Sequence, residues 1–247
     1  MKNEAIIQIR DLVAKYGEKT VLDGVSVDIY PKEITVILGG SGCGKTTLLK
    51  NMLRLYEPYS GSVKLCGQEI LNMDEKEFNK VLQQLGMLFQ NGALLNSISV
   101  YDNISIPLEL HTGLPRHIID RIIRVKLHLV GLSEAIYKFP SELSGGMKKR
   151  AALARAMALD PLILFCDEPS AGLDPVTSAS LDELILDLKQ QLGMTIVIVT
   201  HELASIHRIA DKIIFLDGGK MLYNGTLAEA KKAGIPQIDH FFEVGRF

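Results

Sequence analysis

Residues 34–47 read ITVILGGSGCGKTT, an apolar run followed directly by a glycine-rich segment. The first five residues form a short, largely apolar run, which is typical of a strand covered on both faces. The glycine-rich segment 39–46 follows at once and satisfies the pattern G-x-x-x-x-G-K-[ST]. The residues LLKNML come shortly after it, so the pattern stands in the order strand, loop and helix that this motif requires.

A loop of this kind binds phosphate through its backbone. Glycines let successive N–H groups converge on an anion, and the following helix directs its positive end at the same point. A glycine-rich turn that binds nothing is the alternative, and the flanking strand and helix argue against it. The residues predicted to contact ATP are Gly39, Gly40, Ser41, Gly42, Cys43, Gly44, Lys45, Thr46 and Thr47.

The polar residues of this loop are expected to contact different groups. Lys45 should neutralise the β- and γ-phosphate oxygens, and the Thr46 hydroxyl should ligate Mg²⁺. Thr47 is placed to add a phosphate contact, and Cys43 is interpreted as structural rather than reactive.

A second apolar run, LILFC at residues 162–166, ends in two adjacent acids. Asp167 is expected to hold Mg²⁺ directly or through water, and Glu168 to polarise the attacking water as general base. Acids in a solvated turn next to Pro169 are the alternative. The apolar residues before them make a site at the end of a buried strand the better interpretation.

The rest of the chain extends this layered pattern. Apolar and polar residues alternate at 6–12 and 25–29, which indicates half-exposed strands of an antiparallel layer. Apolar runs at 195–199 and 213–216 match the buried strand at 34–38, and residues 92–158 are predicted to be mostly helical. The expected fold class is α/β, with a mostly parallel sheet, an antiparallel β layer and a helical insertion.

Composition and charge disfavour several classes. The net charge is −2 and tryptophan is absent, so neither a basic surface nor a stacking platform supports nucleic-acid binding. Cys43, Cys66 and Cys166 lack zinc-ligand spacing and are predicted to be inert thiols. The apolar runs fall far short of the ~18 residues that a spanning helix needs, so membrane association is expected to come through a partner.

A third motif narrows the family. LSGGM at residues 143–147 precedes the carboxylate strand and resembles the signature motif of ATP-binding cassette (ABC) ATPases. Further motifs follow in the family's order. Tyr16 resembles the aromatic residue that stacks on adenine, and Gln90 in MLFQ resembles the Q-loop glutamine. SAGLDP with Asp174 resembles the D-loop, and His201 in VTHE resembles the switch histidine.

Taken alone, some of these residues have simpler interpretations: edge packing for Tyr16, a loop amide for Gln90 and the neighbour of a helix N-cap for His201. Their order relative to the other motifs favours the functional interpretation. The resemblance implies that Gln90 contacts the metal and the water. It also implies that His201 contacts the γ-phosphate and holds the attacking water in place.

The resemblance also implies how the chain is divided. Residues 1–247 would form a single ABC ATPase domain. Residues 1–90 and 159–230 would form the P-loop core with its antiparallel layer, and residues 91–158 the helical subdomain with the signature. Residues 231–247 would be a short C-terminal tail whose role the sequence leaves open.

The signature implies a second chain. Ser144 and the amides of Gly145 and Gly146 begin a helix and therefore offer another anion site. In the family this site serves the ATP of the opposite chain. The resemblance thus implies a head-to-tail homodimer with two ATPs between phosphate loop and signature.

Met147 stands where ABC signatures usually carry Gln. Together with FQNGALLNSISVYDNISIPLELHTGLP, residues 89–115, it resembles the ATPases of Mla-type, MCE-associated lipid transporters. This resemblance implies phospholipid transport between membranes, with an integral permease dimer and an MCE-domain lipid-binding protein as partners. Some members also recruit a small STAS-domain protein. The ATPase would lie on the cytoplasmic face of the inner membrane, bound through the permease.

Other functions remain in competition with lipid transport. The main rivals are ATPases of an amino-acid importer or a lipoprotein extractor. A soluble ABC ATPase of translation, repair or chromosome architecture is disfavoured because the chain has one motif set and no long coiled coil. A P-loop kinase or GTPase is disfavoured by residues 144–146 and His201.

Overall fold

The computed structural model describes residues 4–244. Contacts divide the chain into a first unit, Met1–Leu82 with Thr195–Phe247, and a second unit, Gln83–Met194. The subdomain boundaries proposed from the sequence stay a prediction. Residues 1–3 and 245–247, which belong to the proposed core and tail, lie outside the described residues.

The secondary structure elements of the described residues are numbered in chain order. The strands are β1 (Ile7–Tyr16), β2 (Lys19–Ile29), β3 (Ile34–Gly39), β4 (Ser60–Leu65), β5 (Gln68–Glu69), β6 (Leu85–Leu88), β7 (Ile163–Asp167), β8 (Thr195–Val199), β9 (Lys212–Asp217) and β10 (Lys220–Gly225). The α-helices are α1 (Lys45–Met52), α2 (Glu75–Leu82), α3 (Val100–His111), α4 (Arg116–Leu129), α5 (Gly145–Ala156), α6 (Pro175–Leu192), α7 (Leu203–Ile209), α8 (Leu227–Ala230) and α9 (Pro236–Val244). None of these helices combines the length and the hydropathy that a membrane crossing requires.

The first unit contains the predicted antiparallel layer, with strand order β2-β1-β4-β5. In β1, Ile7, Ile9 and Leu12 are fully buried, whereas Arg10 and Asp11 are exposed. The pairing with β2 shifts register between Ile9 and Leu12, where Asp11 adopts φ 48°. This bulge explains why the alternation of the sequence changes phase in the middle of the strand.

The second sheet of this unit has the order β10-β9-β3-β8. All six residues of β3 are buried, and β3 pairs in parallel with both β8 and β9. An apolar run without alternation is expected of a strand covered on both faces. β10 pairs antiparallel with β9, so the sheet is mostly parallel, as predicted.

The C-terminal helix α9 packs its aromatic side chains within the first unit. The Phe241 ring lies edge-on to Phe215 of β9, with ring centroids 5.5 Å apart. The Phe242 ring lies 5.8 Å from the ring of His207 in α7. These contacts place the described part of the tail against its own chain.

The second unit contains the predicted helical segment, α3 to α5, together with α6 and the parallel pair β6 and β7. Helix α3 begins at a capping box in which Ser99 and Asp102 satisfy each other's backbone N–H groups. Pro107 lies inside α3, Pro115 is the N-cap residue of α4, and Pro140 begins a short 3-10 helix, Pro140–Glu142. Proline is tolerated at the first turn of a helix because the N–H group missing there has no intrahelical partner.

Candidate functional site

The phosphate loop connects β3 to α1 in the first unit. Gly44 is the N-cap residue of α1 and has no side chain to cap the first-turn N–H groups. A helix end of this kind attracts anions through its N–H groups and its dipole. The loop therefore has the local geometry that the sequence motif predicts.

Two glycines of the loop are required by close packing as well as by backbone conformation. Gly39 adopts φ 142°, and a Cβ there would lie 2.1 Å from the carbonyl oxygen of Leu216. Gly44 adopts φ 106°, and its Cβ would lie 2.5 Å from Cδ2 of Leu22. Both values lie in the region that favours glycine. A side chain at either position would displace the loop.

The Lys45 ammonium lies over the loop. Its Nζ donates to the carbonyl oxygens of Gly39, at 2.8 Å, and Gly40, at 2.9 Å. Thr46 is exposed and Thr47 is 8% exposed, so the Thr46 hydroxyl is the more accessible of the two. The loop borders a cavity of about 200 Å³ lined by Val21, Gly42, Gly44, Lys45, Thr46 and Thr47.

This cradle fits the phosphates of a nucleotide. It combines a cation, a hydroxyl and a helix N-terminus, which are the groups that recognise anionic oxygens. Burial raises the pKa of the Cys43 thiol, with the nearby Lys45 opposing this effect. The thiol is therefore protonated near neutral pH, in agreement with a structural role.

Tyr16 is held at the end of β1 by a second tyrosine. The rings of Tyr16 and Tyr56 have centroids 4.5 Å apart and are tilted by 39°. The Tyr56 hydroxyl donates to the backbone carbonyl of Lys15. Tyr16 nevertheless remains 44% exposed, which leaves surface on which a base can stack. The geometry accommodates edge packing and base stacking together.

His201 lies at the edge of the sheet where the phosphate loop begins. Parallel pairing aligns Val199 at the end of β8 with Ile37 of β3, so the segments that follow both strands leave at the same edge. Glu202 is the N-cap residue of α7, so His201 is also the neighbour of a helix N-cap. Its proposed contact with the γ-phosphate stays a prediction.

In the second unit, β6 and β7 align the other predicted residues. Leu88 pairs with Cys166 in parallel register, and Gln90 and Glu168 each follow two residues later. Both therefore leave their strands at one edge of the sheet. Asp167 is the last residue of β7, as the sequence predicts.

Glu168 has an unusual backbone. Its φ of 46° is left-handed, which is uncommon for a residue with a side chain and is often found at functional sites. Its carbonyl oxygen accepts hydrogen bonds from the Ala171 N–H at 3.2 Å and from Lys149 Nζ at 3.3 Å. The turn after β7 is thus fixed by its backbone.

Sequence reasoning missed Lys149. Its side chain is 6% exposed, and Nζ also donates to the carbonyl oxygen of Gln90. Burial lowers the pKa of Lys149, and the nearby Cys166, Glu168 and Asp167 oppose this effect. The helical periodicity of the sequence could have indicated that Lys149 is buried. Lys149 shares a face of α5 with the buried Ala152 and Leu153, which follow three and four residues later.

The signature residues begin α5. Ser144 is the N-cap, and its Oγ accepts a hydrogen bond from the Met147 N–H at 3.3 Å. Ser144 and Gly145 are exposed, so an anion can reach this helix end. At Gly146 an added Cβ would lie 2.5 Å from Cγ2 of Thr177, so the approach of α6 explains this glycine.

Asp174 caps α6. Its carboxylate accepts from the backbone N–H groups of Val176, at 3.1 Å, and Thr177, at 3.0 Å, and from the Thr177 hydroxyl. These hydrogen bonds, above all those from Thr177, lower the pKa of Asp174. The structure thus gives Asp174 a helix-capping role, and its D-loop role stays a prediction.

Among residues 4–244 there is no cluster of three or more His, Cys, Asp or Glu side chains that could hold a metal. Mg²⁺ in nucleotide sites is usually held by one or two carboxylates, phosphate oxygens and water. The oxygen atoms of Thr46, Gln90 and Asp167 are of the type that Mg²⁺ prefers. Their chemistry therefore fits the predicted metal.

A family model described as ABC transporter matches residues 22–171. The chain is 40% identical over 224 residues to the intermembrane phospholipid transport system ATP-binding protein MlaF of Haemophilus influenzae, covering 91% of this chain and 85% of that protein. It is 42% identical to the probable ribonucleotide transport ATP-binding protein mkl of Mycobacterium leprae, covering 84% and 60%. It is 40% identical to the methionine import ATP-binding protein MetN of H. influenzae, covering 85% and 61%. The chain therefore spans less than two thirds of the length of the latter two.

Two solved structures share the fold along most of their length. One is cbiO1 from Clostridium perfringens, part of the ABC transporter complex cbiONQ, with a TM-score of 0.84, 28% identity and coverage of 97% of this chain and 99% of that one. The other is a dimeric post-hydrolysis state of the ATP-binding cassette MJ0796 bound to ADP and Pi. Its TM-score is 0.81, with 27% identity and coverage of 90% and 98%.

We predict that Gly39→Ala impairs nucleotide binding. The added methyl group meets the Leu216 carbonyl, so the loop must move away from the geometry that converges its N–H groups. Titration with a fluorescent ATP analogue should show at least about tenfold weaker binding, since displacing a few hydrogen bonds to a charged group costs more than 1.4 kcal/mol. Gly113→Ala is the control, because nothing lies within 4 Å of its Cβ position. Equal affinities of the two variants would contradict the packing constraint.

Proposed function

The chain belongs to the ABC transporter ATPase family and hydrolyses ATP, and from this premise we propose that it powers phospholipid transport between membranes. The observation that carries the proposal is the 40% identity with the phospholipid transport protein MlaF along 91% of this chain. Met147 and the segment 89–115 support the same subfamily. The mkl and MetN proteins have similar identities, so a ribonucleotide or methionine transporter is the competing assignment.

ATP binding is assigned to the phosphate loop and Tyr16. Lys45 neutralises phosphate charge, the first N–H groups of α1 bind phosphate oxygens, and Tyr16 stacks on the adenine. Mg²⁺, when bound with ATP, neutralises and orients the phosphates. Thr46, Asp167 and Gln90 are the residues that would hold it.

The hydrolytic step is assigned to Glu168, His201 and Gln90. Glu168 accepts a proton from the attacking water, and His201 and Gln90 hold that water. The left-handed backbone of Glu168 supports this assignment, because strained conformations persist where the surroundings fix them for function.

A head-to-tail homodimer completes the proposed site. The exposed start of α5 at Ser144 and Gly145 can bind the ATP held by the phosphate loop of another chain. Two solved structures of one cassette of similar fold, MJ0796, are dimeric, which supports this assembly. A two-fold pair then forms both composite sites together.

The permease is assigned to the surface just before α3. Leu95 is 50% exposed and Phe89 is 41% exposed, and both belong to the segment 89–115. Burial of these two side chains against a protein partner would remove their apolar surface from water. Through the permease the ATPase would sit on the cytoplasmic face of the inner membrane, with an MCE-domain protein as a further partner and, in some systems, a STAS-domain protein.

Glu168→Gln should lower ATP turnover about 10²–10⁴-fold, because the amide cannot act as general base. Equilibrium binding of ATP should persist, since the substitution leaves the phosphate loop intact. The control is Glu183→Gln, an exposed carboxylate on α6. Near-normal turnover of Glu168→Gln with normal ATP binding would remove the proposed base.

The transported substrate can be tested with the complex purified from membranes. Mass spectrometry should find a permease and an MCE-domain protein bound to the chain. After reconstitution, ATP should drive transfer of a labelled phospholipid between vesicles, and Glu168→Gln should abolish this transfer.

The same vesicles allow the rival substrates to be tested. ATP-dependent uptake of methionine or a ribonucleotide, without phospholipid transfer, would contradict the lipid assignment while leaving the ATPase in place. Phospholipid that merely co-purifies does not decide the matter, because detergent extracts carry membrane lipid. The assignment is therefore decided by which substrate is transported in an ATP-dependent manner.

A further inference from the structure

We propose that Lys149 is a positioning residue for hydrolysis, which holds the backbone of Gln90 and Glu168 against the signature helix α5. The inference rests on the proposed roles of those two residues and assigns a role to a third. Lys149 Nζ donates to the carbonyl oxygens of both. One ammonium group therefore joins the segment after β6, the turn after β7 and α5.

The burial of Lys149 argues that these hydrogen bonds matter. A buried ammonium loses its hydration and is costly unless donors and acceptors are matched around it. Lys149 is 6% exposed, and its donors meet two carbonyl oxygens at a site that also carries the charges of Asp167 and Glu168. A neutral apolar side chain at this helix position would avoid the desolvation cost but could not make these bonds.

The hydrogen bond from Lys149 to Glu168 is made to a residue with a strained backbone. Glu168 has a φ of 46°, and its carbonyl oxygen accepts hydrogen bonds from both the Ala171 N–H and Lys149 Nζ. Because the side chain leaves from the Cα between the flanking peptides, fixing the peptide also restricts where the carboxylate points. Loss of Lys149 should let this turn relax toward an ordinary backbone conformation.

A second cation on α5 strengthens the same connection. Arg155 donates to the carbonyl oxygens of Gly92, at 2.9 Å, and Ala93, at 2.8 Å. Lys149 and Arg155 thus bind the carbonyls of three residues just after β6. These hydrogen bonds attach the segment that contains Gln90 to α5. They involve the backbone of that segment and not its side chains.

This arrangement also links the start of α5 to the proposed base. Ser144 caps the helix, and Lys149 follows five residues later, about 7.5 Å along a helix that rises 1.5 Å per residue. An α-helix moves as a rigid element over this distance. Phosphate bound at Ser144 would therefore act on Gln90 and Glu168 through the Lys149 ammonium.

The test compares Lys149→Met, Lys149→Arg and Lys148→Met in the full chain. Methionine keeps an unbranched side chain but removes the donors, so kcat for ATP should fall about 10–100-fold, the cost of misplacing a catalytic group by ~1 Å. KM for ATP should change little, because the phosphate loop is unaltered. Arginine keeps donors for carbonyl oxygens and should restore most of the turnover.

The controls separate positioning from folding. Lys148 is the exposed neighbour on the same helix, and Lys148→Met should behave as the wild type. Thermal unfolding and ATP titration of each variant show whether it is folded and binds nucleotide. If Lys149→Met does not fold, Lys149→Gln, which keeps a shorter neutral donor, should show the same selective loss of kcat.

Two outcomes would overturn the inference. One is wild-type kcat in Lys149→Met or, if that variant does not fold, in Lys149→Gln. The other is a parallel loss of stability and ATP affinity with kcat preserved, which indicates a structural role only. Glu168→Gln measured alongside keeps the two proposals distinguishable. If Glu168→Gln is impaired and Lys149→Met is normal, the base stands and only the role of Lys149 is wrong.

Discussion

Parallel strand pairing is the constraint on which the rest of this structure depends. In the first unit, β3 and β8 run in parallel register, so the phosphate loop and His201 emerge at one edge. In the second unit, β6 and β7 do the same for Gln90 and Glu168. Within each unit taken by itself, the hydrogen bonds between parallel strands thereby bring residues far apart in the chain to one edge of the sheet.

In each unit, contacts to backbone carbonyl groups hold the residues of the candidate site in place. Gly39 is fixed by its approach to the Leu216 carbonyl, and Lys45 bonds the carbonyls of the same loop. Lys149 bonds the carbonyls beside the acids of the second unit. Fixing peptides in this way pre-organises charge before reaction, which is the main requirement for phosphoryl transfer.

The sequence predicted the local parts of this picture well. Motifs such as residues 39–46 and the strand before Asp167 are contiguous, so spacing alone identified them, and the buried strands were recognised from their continuous apolar runs. Contacts between distant segments were not predictable. Nothing in the order of residues shows that Tyr56 lies against Tyr16 or that Lys149 reaches Gln90. The left-handed turn at Glu168 is likewise set by surrounding contacts and not by a glycine.

The proposed dimer hydrolyses ATP at sites divided between two chains, with Lys45 from one and Ser144 from the other. Mixing Lys45→Ala with Ser144→Arg subunits tests it directly, because each variant alone damages both composite sites. In an equal mixture half of the dimers carry both variants, and each of these has one intact site. We expect recovery of about one quarter of the wild-type sites and a corresponding return of ATP turnover. A mixture that stays as inactive as either parent would contradict it.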